Sequence, residues 1–147
     1  MRSIQEKSIT KRYSGVVLKS NQNQFILQKR ENKKNISNPG LITTFGGVCK
    51  HNESHIECAV REIKEELCYI LNSKKLILFL NLIKKEMNGL HTYCEFFYYK
   101  KSISLTELNL IEGEEIICFD KSVFIDFEKS LSPTCEKVLT TYMNIGI

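Results

Sequence analysis

The sequence predicts an α+β domain in which helices flank a core made mainly of β-strands. Apolar and aromatic runs of strand length dominate the chain, one amphipathic helix interrupts them near residues 56–70, and a second helix lies at the end. Strands that outnumber helices in this way are typical of a sheet covered by helices. With 147 residues, of which 42% are hydrophobic, we expect a single domain over residues 1–147.

The predicted strands are apolar or aromatic runs separated by polar segments with turn chemistry. They lie at residues 15–19, 24–28, 41–45, 76–83, 90–99 and 116–119. The polar segment 20–23 joins the first two as a hairpin, and residues 31–40 form a loop that ends in Pro39-Gly40. Asn88-Gly89, the strongest short hairpin signal, joins the fourth and fifth strands.

Both predicted helices have an apolar side and a capping residue. In the first helix, apolar side chains recur at steps of three and four and so share one side: Ile56, Ala59, Ile63, Leu67 and Ile70. Either Asn52 or Ser54 caps its start. In the last helix Ser132 is the cap and Pro133 the first residue. Its apolar side carries Val138, Leu139 and Tyr142.

Charge is distributed unevenly along the chain. Residues 1–38 carry nine basic and two acidic side chains, and the remainder carries twelve basic and fifteen acidic ones. A basic front half favours an anionic ligand such as a phosphate or a nucleic acid. The alternative is a surface of solvated lysines, which is common in proteins of any function.

The sequence favours a reducing compartment and gives no sign of a membrane. The longest apolar run, residues 76–80, is far shorter than a span of about 20 residues, and residues 1–7 lack the apolar stretch of a signal peptide. The cysteines at 49, 58, 68, 94, 118 and 135 include no Cys-x-x-Cys pair, which argues against a structural zinc site. We expect a cytoplasmic protein whose reduced thiols mostly fill small apolar spaces.

A cluster of carboxylates on the first helix carries the chemical signal. Glu62, Glu65 and Glu66 lie at helical steps of three and four, within an arc of about 100° at the edge of the apolar side. Like charges so placed repel each other, and a hard divalent cation removes that penalty. Gly46-Gly47 before the helix lets the backbone turn tightly and lets a phosphate come close.

The alternative is a solvated acidic face, which would be preferred for Glu65-Glu66 alone. The complete pattern is more specific. It consists of six residues at fixed spacing: Gly47, Glu53, Arg61, Glu62, Glu65 and Glu66. Such a pattern arises by chance in roughly one chain in 10⁵ of this length.

This segment, Gly47-x5-Glu53-x7-Arg61-Glu62-Ile63-x-Glu65-Glu66, resembles the Nudix box of the Nudix hydrolases. The order of strands and helices is also similar to that family. The resemblance implies an α/β/α sandwich with a mixed β-sheet flanked by helices. It also implies a divalent metal, Mg²⁺ or Mn²⁺, and cleavage of a nucleoside diphosphate linked to another group.

The resemblance further implies a role for each motif residue. The implied metal ligands are the Gly46 carbonyl, Glu62, Glu65 and Glu66. The implied catalytic residues are Glu62, Arg61 and Glu65, with Glu62 as a candidate base and Glu53 orienting Arg61. The expected substrate-binding residues are Gly46, Gly47 and Arg30, with Lys29 as an alternative to Arg30 for the outer phosphates.

The sequence departs from the usual motif at two places. Cys68 occupies the position of a glycine that ends the helix in a left-handed conformation, so we expect the helix to end differently or to run on. Phe45 replaces the usual proline before Gly46-Gly47. A subset of small members shares this feature and carries a later Glu-Gly-Glu segment, which makes Glu112 a further candidate metal ligand or base; the alternative is a plain turn.

The expected activity is hydrolysis of a nucleoside triphosphate, including oxidised ones, to the monophosphate and pyrophosphate by metal-activated water. ADP-ribose, nucleotide sugars and dinucleoside polyphosphates are alternative substrates. A module that binds nucleotide or RNA without hydrolysis is a further alternative, which the complete glutamate set disfavours. Phe45, Tyr93 and Phe96 are candidates for stacking on a base, although strand aromatics are more often core. The expected partner is a small-molecule nucleotide substrate, and neither a membrane nor a nucleic acid is expected as a partner. A homodimer is compatible with the sequence.

Overall fold

The computed structural model describes residues 9–36, 38–111 and 115–146, and its centre is a mixed β-sheet. The strands are β1 Ile9–Lys19, β2 Phe25–Lys29, β3 Ile42–Thr43, β4 Phe45–Val48, β5 Leu76–Lys85, β6 His91–Tyr99 and β7 Glu115–Phe119. The α-helices are α1 His55–Leu67, α2 Phe124–Phe127 and α3 Pro133–Asn144. Short 3₁₀ turns lie at Ser73–Lys75, Leu105–Glu107, Lys121–Val123 and Glu128–Ser130.

Strand β1 organises the sheet because it has partners on both sides. On one side it runs parallel to β6, with Gly15 opposite Phe96, and β6 pairs antiparallel with β5. On the other side it pairs antiparallel with β4, with Gly15 opposite Gly46, and then with β2, with Leu18 opposite Ile26. Strands β3 and β7 both pair with β2. The sheet therefore contains parallel and antiparallel pairs, as predicted.

Helices cover both faces of this sheet, because alternate side chains of a strand point to opposite faces. Val16 and Leu18 pack in one core cluster with α1, whose contribution is Ala59, Ile63 and Leu67. Val17 packs in a second cluster with α3, whose contribution is Val138, Leu139 and Tyr142. The predicted α/β/α layering is confirmed. Among the helices in the described residues, none has the length and apolar character needed to cross a membrane.

The predicted apolar side of the first helix is wrong at both ends. Ser54, not Asn52, caps α1, through a capping box in which Ser54 and Glu57 each accept the other's backbone N–H. Ala59, Ile63 and Leu67 are fully buried, whereas Ile56 in the first turn is 38% exposed. Ile70 is 71% exposed because the helix has already ended at Leu67.

Further segments differ from the sequence prediction. The single strand predicted at residues 41–45 is two strands, β3 and β4, and the second of them includes Gly46-Gly47. Strand β1 begins at Ile9 rather than residue 15, because pairing with β6 extends it through a stretch with no apolar pattern. Residues 121–130 form two 3₁₀ turns and the short helix α2, where the sequence predicted nothing. They are fixed to β7 by Phe127, whose ring stacks on Phe119 with centroids 4.4 Å apart.

Candidate active site

The loop between β4 and α1 folds the helix back along the strand that precedes it. The Cys49 N–H donates to the Arg12 carbonyl at 2.7 Å, which holds the start of the loop against β1. The Lys50 N–H donates to Glu53 Oε1 at 2.9 Å, and Ser54 then begins the helix. As a result, the last two turns of α1 lie against the Gly46-Gly47 backbone of β4.

The two glycines bring backbone and carboxylates into contact. A Cβ added to Gly47 would collide with the Glu62 carboxylate. A Cβ added to Gly46, whose φ of 155° few L-residues adopt, would collide with the Ser14 carbonyl. Only glycine at both positions allows β4 to pass this close to α1 and β1.

Glu66 is a buried carboxylate with two donors. Its side chain bridges helix and sheet: Oε1 accepts from the Gly46 N–H at 3.1 Å, and Oε2 accepts from Gln28 Nε2, also at 3.1 Å. The residue is only 3% exposed, so these bonds compensate part of the cost of burying its charge. Gln28 Oε1 is buried as well and, within the described residues, has no hydrogen-bond partner.

Arg61 connects the remaining acidic residues. Its Nε and Nη2 donate to the two oxygens of Glu53 at 2.7 and 2.9 Å. Its Nη1 donates to Glu62 Oε1 at 2.9 Å and to Glu65 Oε2 at 3.2 Å, and Nη2 also reaches the Val48 carbonyl at 3.1 Å. The hydrogen bond from Arg61 is the main cause that lowers the pKa of Glu53 to about 2.

The predicted metal ligands therefore come together through two links. Arg61 joins Glu62 to Glu65, and the Gly46-Gly47 backbone joins Glu62 to Glu66. The donor set is entirely oxygen, which is the chemistry that Mg²⁺ and Mn²⁺ prefer. The buried Gln28 Oε1 at this site would accept a hydrogen bond from a water bound to such an ion. The residues thus fit a hard divalent cation.

A cleft of about 330 Å³ opens beside the two glycines. Gly46, Gly47 and Arg30, the predicted substrate-binding residues, all line it, and Lys29 does not. Lys11 and Lys84 add two further cations, and Glu86 adds one carboxylate, so that the basic side chains predominate. Such a lining suits an anionic ligand that approaches the carboxylates of α1.

The walls of the cleft include residues that the sequence prediction missed. Tyr13 lines it with Phe96, and their ring centroids are 6.0 Å apart. Burial, followed by the nearby Glu66 carboxylate, raises the pKa of Tyr13, so its phenol stays protonated. Of the aromatic candidates, Phe96 lines the cleft, whereas Phe45 lies in the core under α1 and Tyr93 donates to Glu95 outside the cleft. The sequence offers little sign of Gln28, because the equally polar Lys29 follows it at the end of β2.

Two expectations at the end of α1 have different outcomes. The helix neither ends differently nor runs on, because Cys68 itself adopts the left-handed conformation (φ 54°, ψ 30°) that glycine takes elsewhere. Its N–H donates to the Lys64 carbonyl at 3.0 Å. Glu112 lies outside the described residues. The chain just before it adjoins this helix end, where the Ile111 N–H donates to the Glu66 carbonyl at 2.9 Å.

Solved structures show the same fold. The ORF135 protein from E. coli matches with a TM-score of 0.76 and 15% identity over 95% of this chain and 93% of that one. The MutT protein from Methanosarcina mazei Go1 matches with a TM-score of 0.76 and 15% identity over 96% and 99%. A bifunctional NMN adenylyltransferase/ADP ribose pyrophosphatase from Francisella tularensis, complexed with AMP and a Mn ion, gives 0.69 and 14% over 93% of this chain and 42% of that one.

A mixed sheet between two helical layers is the fold that these structures share with this chain. The NUDIX domain family model matches residues 10–128, and the chain belongs to this family. The match supports a hydrolase that acts on pyrophosphate bonds. No curated protein matches the sequence significantly.

Proposed function

We propose that this chain is a Mg²⁺- or Mn²⁺-dependent pyrophosphohydrolase that cleaves the diphosphate bond of a nucleoside triphosphate or a related nucleotide. The observation that carries the proposal is the convergence of Glu62, Glu65 and Glu66 around Arg61 and the glycine pair Gly46-Gly47, which lines a cleft together with Arg30. The family match supplies the reaction class.

Metal binding falls to the oxygen donors around the glycine pair. Glu62, Glu65, Glu66 and the Gly46 carbonyl would hold the ion, and a bound ion would neutralise phosphate charge and lower the pKa of a water. The two donors to Glu66 keep its carboxylate in place at the sheet. Arg61 keeps Glu62 and Glu65 on the same side of the helix. Glu112 stays a candidate further ligand.

Other side chains of the site act on the attacking water, on the outer phosphates and on the nucleotide base. We assign to Glu62 the role of accepting the proton of the attacking water, because its carboxylate lies against Gly47, a residue that lines the cleft. Arg30 and the cleft lysines attract the outer phosphates. The protonated Tyr13 phenol and the Phe96 ring form the wall against which a base can rest.

The substrate favoured here is a nucleoside triphosphate, since the cleft lining presents three cations against the one carboxylate of Glu86. ADP-ribose, nucleotide sugars and dinucleoside polyphosphates share the same diphosphate bond. The Francisella relative is described as an ADP ribose pyrophosphatase in one of its two activities, which makes ADP-ribose the first alternative.

The test is a substrate panel of triphosphates (including oxidised ones), ADP-ribose, nucleotide sugars and dinucleotides, each with Mg²⁺, Mn²⁺ or a chelator. We expect a metal-dependent release of pyrophosphate from triphosphates. Glu62→Gln should lower kcat about 10²- to 10⁴-fold, while the exposed Glu107→Gln should match the wild type. Nucleotide binding without metal-dependent turnover of any substrate would contradict the proposal and favour a binding module.

A further inference from the structure

A second cluster of ligand-type side chains lies beside the carboxylates of the proposed active site. It consists of Cys49, Glu53 and Cys58, whose sulfur and carboxylate oxygen atoms all lie within 4.8 Å of one another. Cys58 is fully buried, Cys49 is half-buried, and the Glu53 side chain is 13% exposed. The loop after β4 folds back on the first turn of α1, so the backbone brings together thiols that are nine residues apart.

Both thiols have only weak partners. Cys58 Sγ lies 3.5 Å from the Gly47 carbonyl and 4.0 Å from Arg61 Nη2. Cys49 Sγ lies 3.6 Å from Ser14 Oγ, whose own proton is donated to the His55 carbonyl at 2.8 Å. Thiols are weak hydrogen-bond donors and acceptors, so a bound metal ion would displace only weak hydrogen bonds.

The spacing suits a tetrahedral ion. Two thiolates bound to one zinc at about 2.3 Å lie about 3.8 Å apart. The two sulfur atoms would have to approach each other by at most about 1 Å to reach that distance, which rotation of two side chains can supply. The half-buried side of Cys49 leaves the fourth position to water.

We propose that Cys49, Cys58 and Glu53 form a site for Zn²⁺ or a similarly thiophilic divalent cation, distinct from the carboxylate site of α1. Binding replaces two thiol protons, which pass to the solvent, by one dication. The local charge is unchanged by this exchange, and the Arg61 guanidinium balances the remaining negative charge. Soft sulfur ligands select this ion over Mg²⁺, which prefers oxygen.

Occupation of this site has a consequence for the carboxylates. Glu53 holds Arg61 through two hydrogen bonds, and Arg61 holds Glu62 and Glu65. A shift of Glu53 towards the two sulfurs moves the guanidinium as well. We expect bound Zn²⁺ to lower Mg²⁺-dependent kcat by roughly 10- to 100-fold. This inhibition rests on the proposed function, but the metal site itself does not.

The experiment uses Co²⁺ as a spectroscopic probe on the full chain, with a non-thiol reductant and without nucleotide. We expect a thiolate-to-cobalt charge-transfer band that Zn²⁺ removes, with release of two protons per ion in calorimetry across buffers. Cys49→Ser and Cys58→Ala should each abolish the band. Cys118→Ser, a half-buried cysteine on β7, should keep it. Thermal unfolding checks that each variant is folded. Cys49 is half-buried whereas Cys58 is fully buried, so Cys49→Ser removes a ligand without altering the core.

A wild-type protein with no such band, or a band that survives both Cys49→Ser and Cys58→Ala, would overturn the proposal. Zn²⁺ inhibition of turnover is then measured relative to each variant's own Mg²⁺-dependent rate, and we expect only the two site variants to resist it. A cobalt band in a protein with no turnover on any nucleotide would support the metal site and contradict the proposed function separately.

Discussion

Arg61 and Glu53 are joined by two nearly parallel hydrogen bonds, from Nε to Oε2 at 2.7 Å and from Nη2 to Oε1 at 2.9 Å. This pair ties the loop before α1 to the middle of the helix. Because the third guanidinium nitrogen, Nη1, donates to Glu62 and Glu65, the Arg61 side chain contacts carboxylates of both the loop and the helix. The planar fork of arginine, and not its charge alone, makes this arrangement possible.

Arg61→Lys should therefore lower kcat about 10- to 100-fold, because lysine keeps the charge but loses the fork. Steady-state kinetics with saturating Mg²⁺ and a circular dichroism spectrum check this. Arg12→Lys is the matched control, since the Arg12 guanidinium donates one hydrogen bond, to the Lys50 carbonyl, and no fork to a carboxylate among the described residues. Wild-type kcat in Arg61→Lys would show that the fork is dispensable.

The Glu53–Arg61 pair should also give the protein an acid-dependent stability. Hydrogen bonding from Arg61 lowers the pKa of Glu53 from 4.5 to about 2. A carboxylate with a depressed pKa stabilises the folded state above pH 4.5, and this contribution disappears as the pH falls towards 2. The stability difference between wild type and Glu53→Gln should thus shrink from pH 5 to pH 2 in denaturant titrations. An unchanged difference would contradict the assigned pKa.

Alanine substitutions at the two glycines of β4 should have different effects on activity and stability. Gly47→Ala places a methyl group against the Glu62 carboxylate, so we expect at least about a tenfold loss of kcat with a small change in stability. Gly46→Ala meets the Ser14 carbonyl at a backbone angle that favours glycine. It should lower the free energy of unfolding by about 1–3 kcal/mol or more. Kinetics and thermal unfolding are measured for both variants. The same loss of kcat together with the same loss of stability in both would contradict this distinction.

Cys68→Gly should stabilise the protein slightly. Cys68 is exposed and takes a left-handed conformation at the end of α1, which costs a residue with a Cβ about 1–2 kcal/mol. Glycine loses about 0.5–1 kcal/mol more conformational entropy on folding, so the expected net gain is between about 0 and 1.5 kcal/mol. Chemical denaturation measures it, and a clear loss of stability would mean that the Cys68 side chain contributes unrecognised contacts.

The parts of this fold that the sequence predicted are those with local signals. The Asn88-Gly89 turn, the Ser132 cap and the buried middle of α1 each depend on residues adjacent in the chain or one helical turn apart. The cluster of Glu62, Glu65 and Glu66 could be predicted because all three residues lie on one helix, whose geometry fixes their spacing. Its roles in metal binding and catalysis stay predictions.

The parts that escaped prediction depend on long-range contacts. Thr10, Lys11 and Arg12 near the start of β1 are polar, and this part of the chain forms a strand because β6 pairs with it. Gln28 looks like an ordinary strand residue until the fold places it 3.1 Å from Glu66, 38 positions away. The meeting of Cys49 and Cys58 likewise depends on how the loop after β4 turns, which their spacing does not encode.

Binding of Mn²⁺ to the carboxylates of α1 tests the central claim most directly. Electron paramagnetic resonance follows the free ion during a titration, with and without a non-hydrolysable nucleotide, for wild type, Glu62→Gln and the exposed Glu107→Gln. We expect wild type and Glu107→Gln to bind Mn²⁺ equally and Glu62→Gln to bind it at least about tenfold more weakly. Absence of Mn²⁺ binding by the wild type even with nucleotide, or equal binding by Glu62→Gln, would contradict the account.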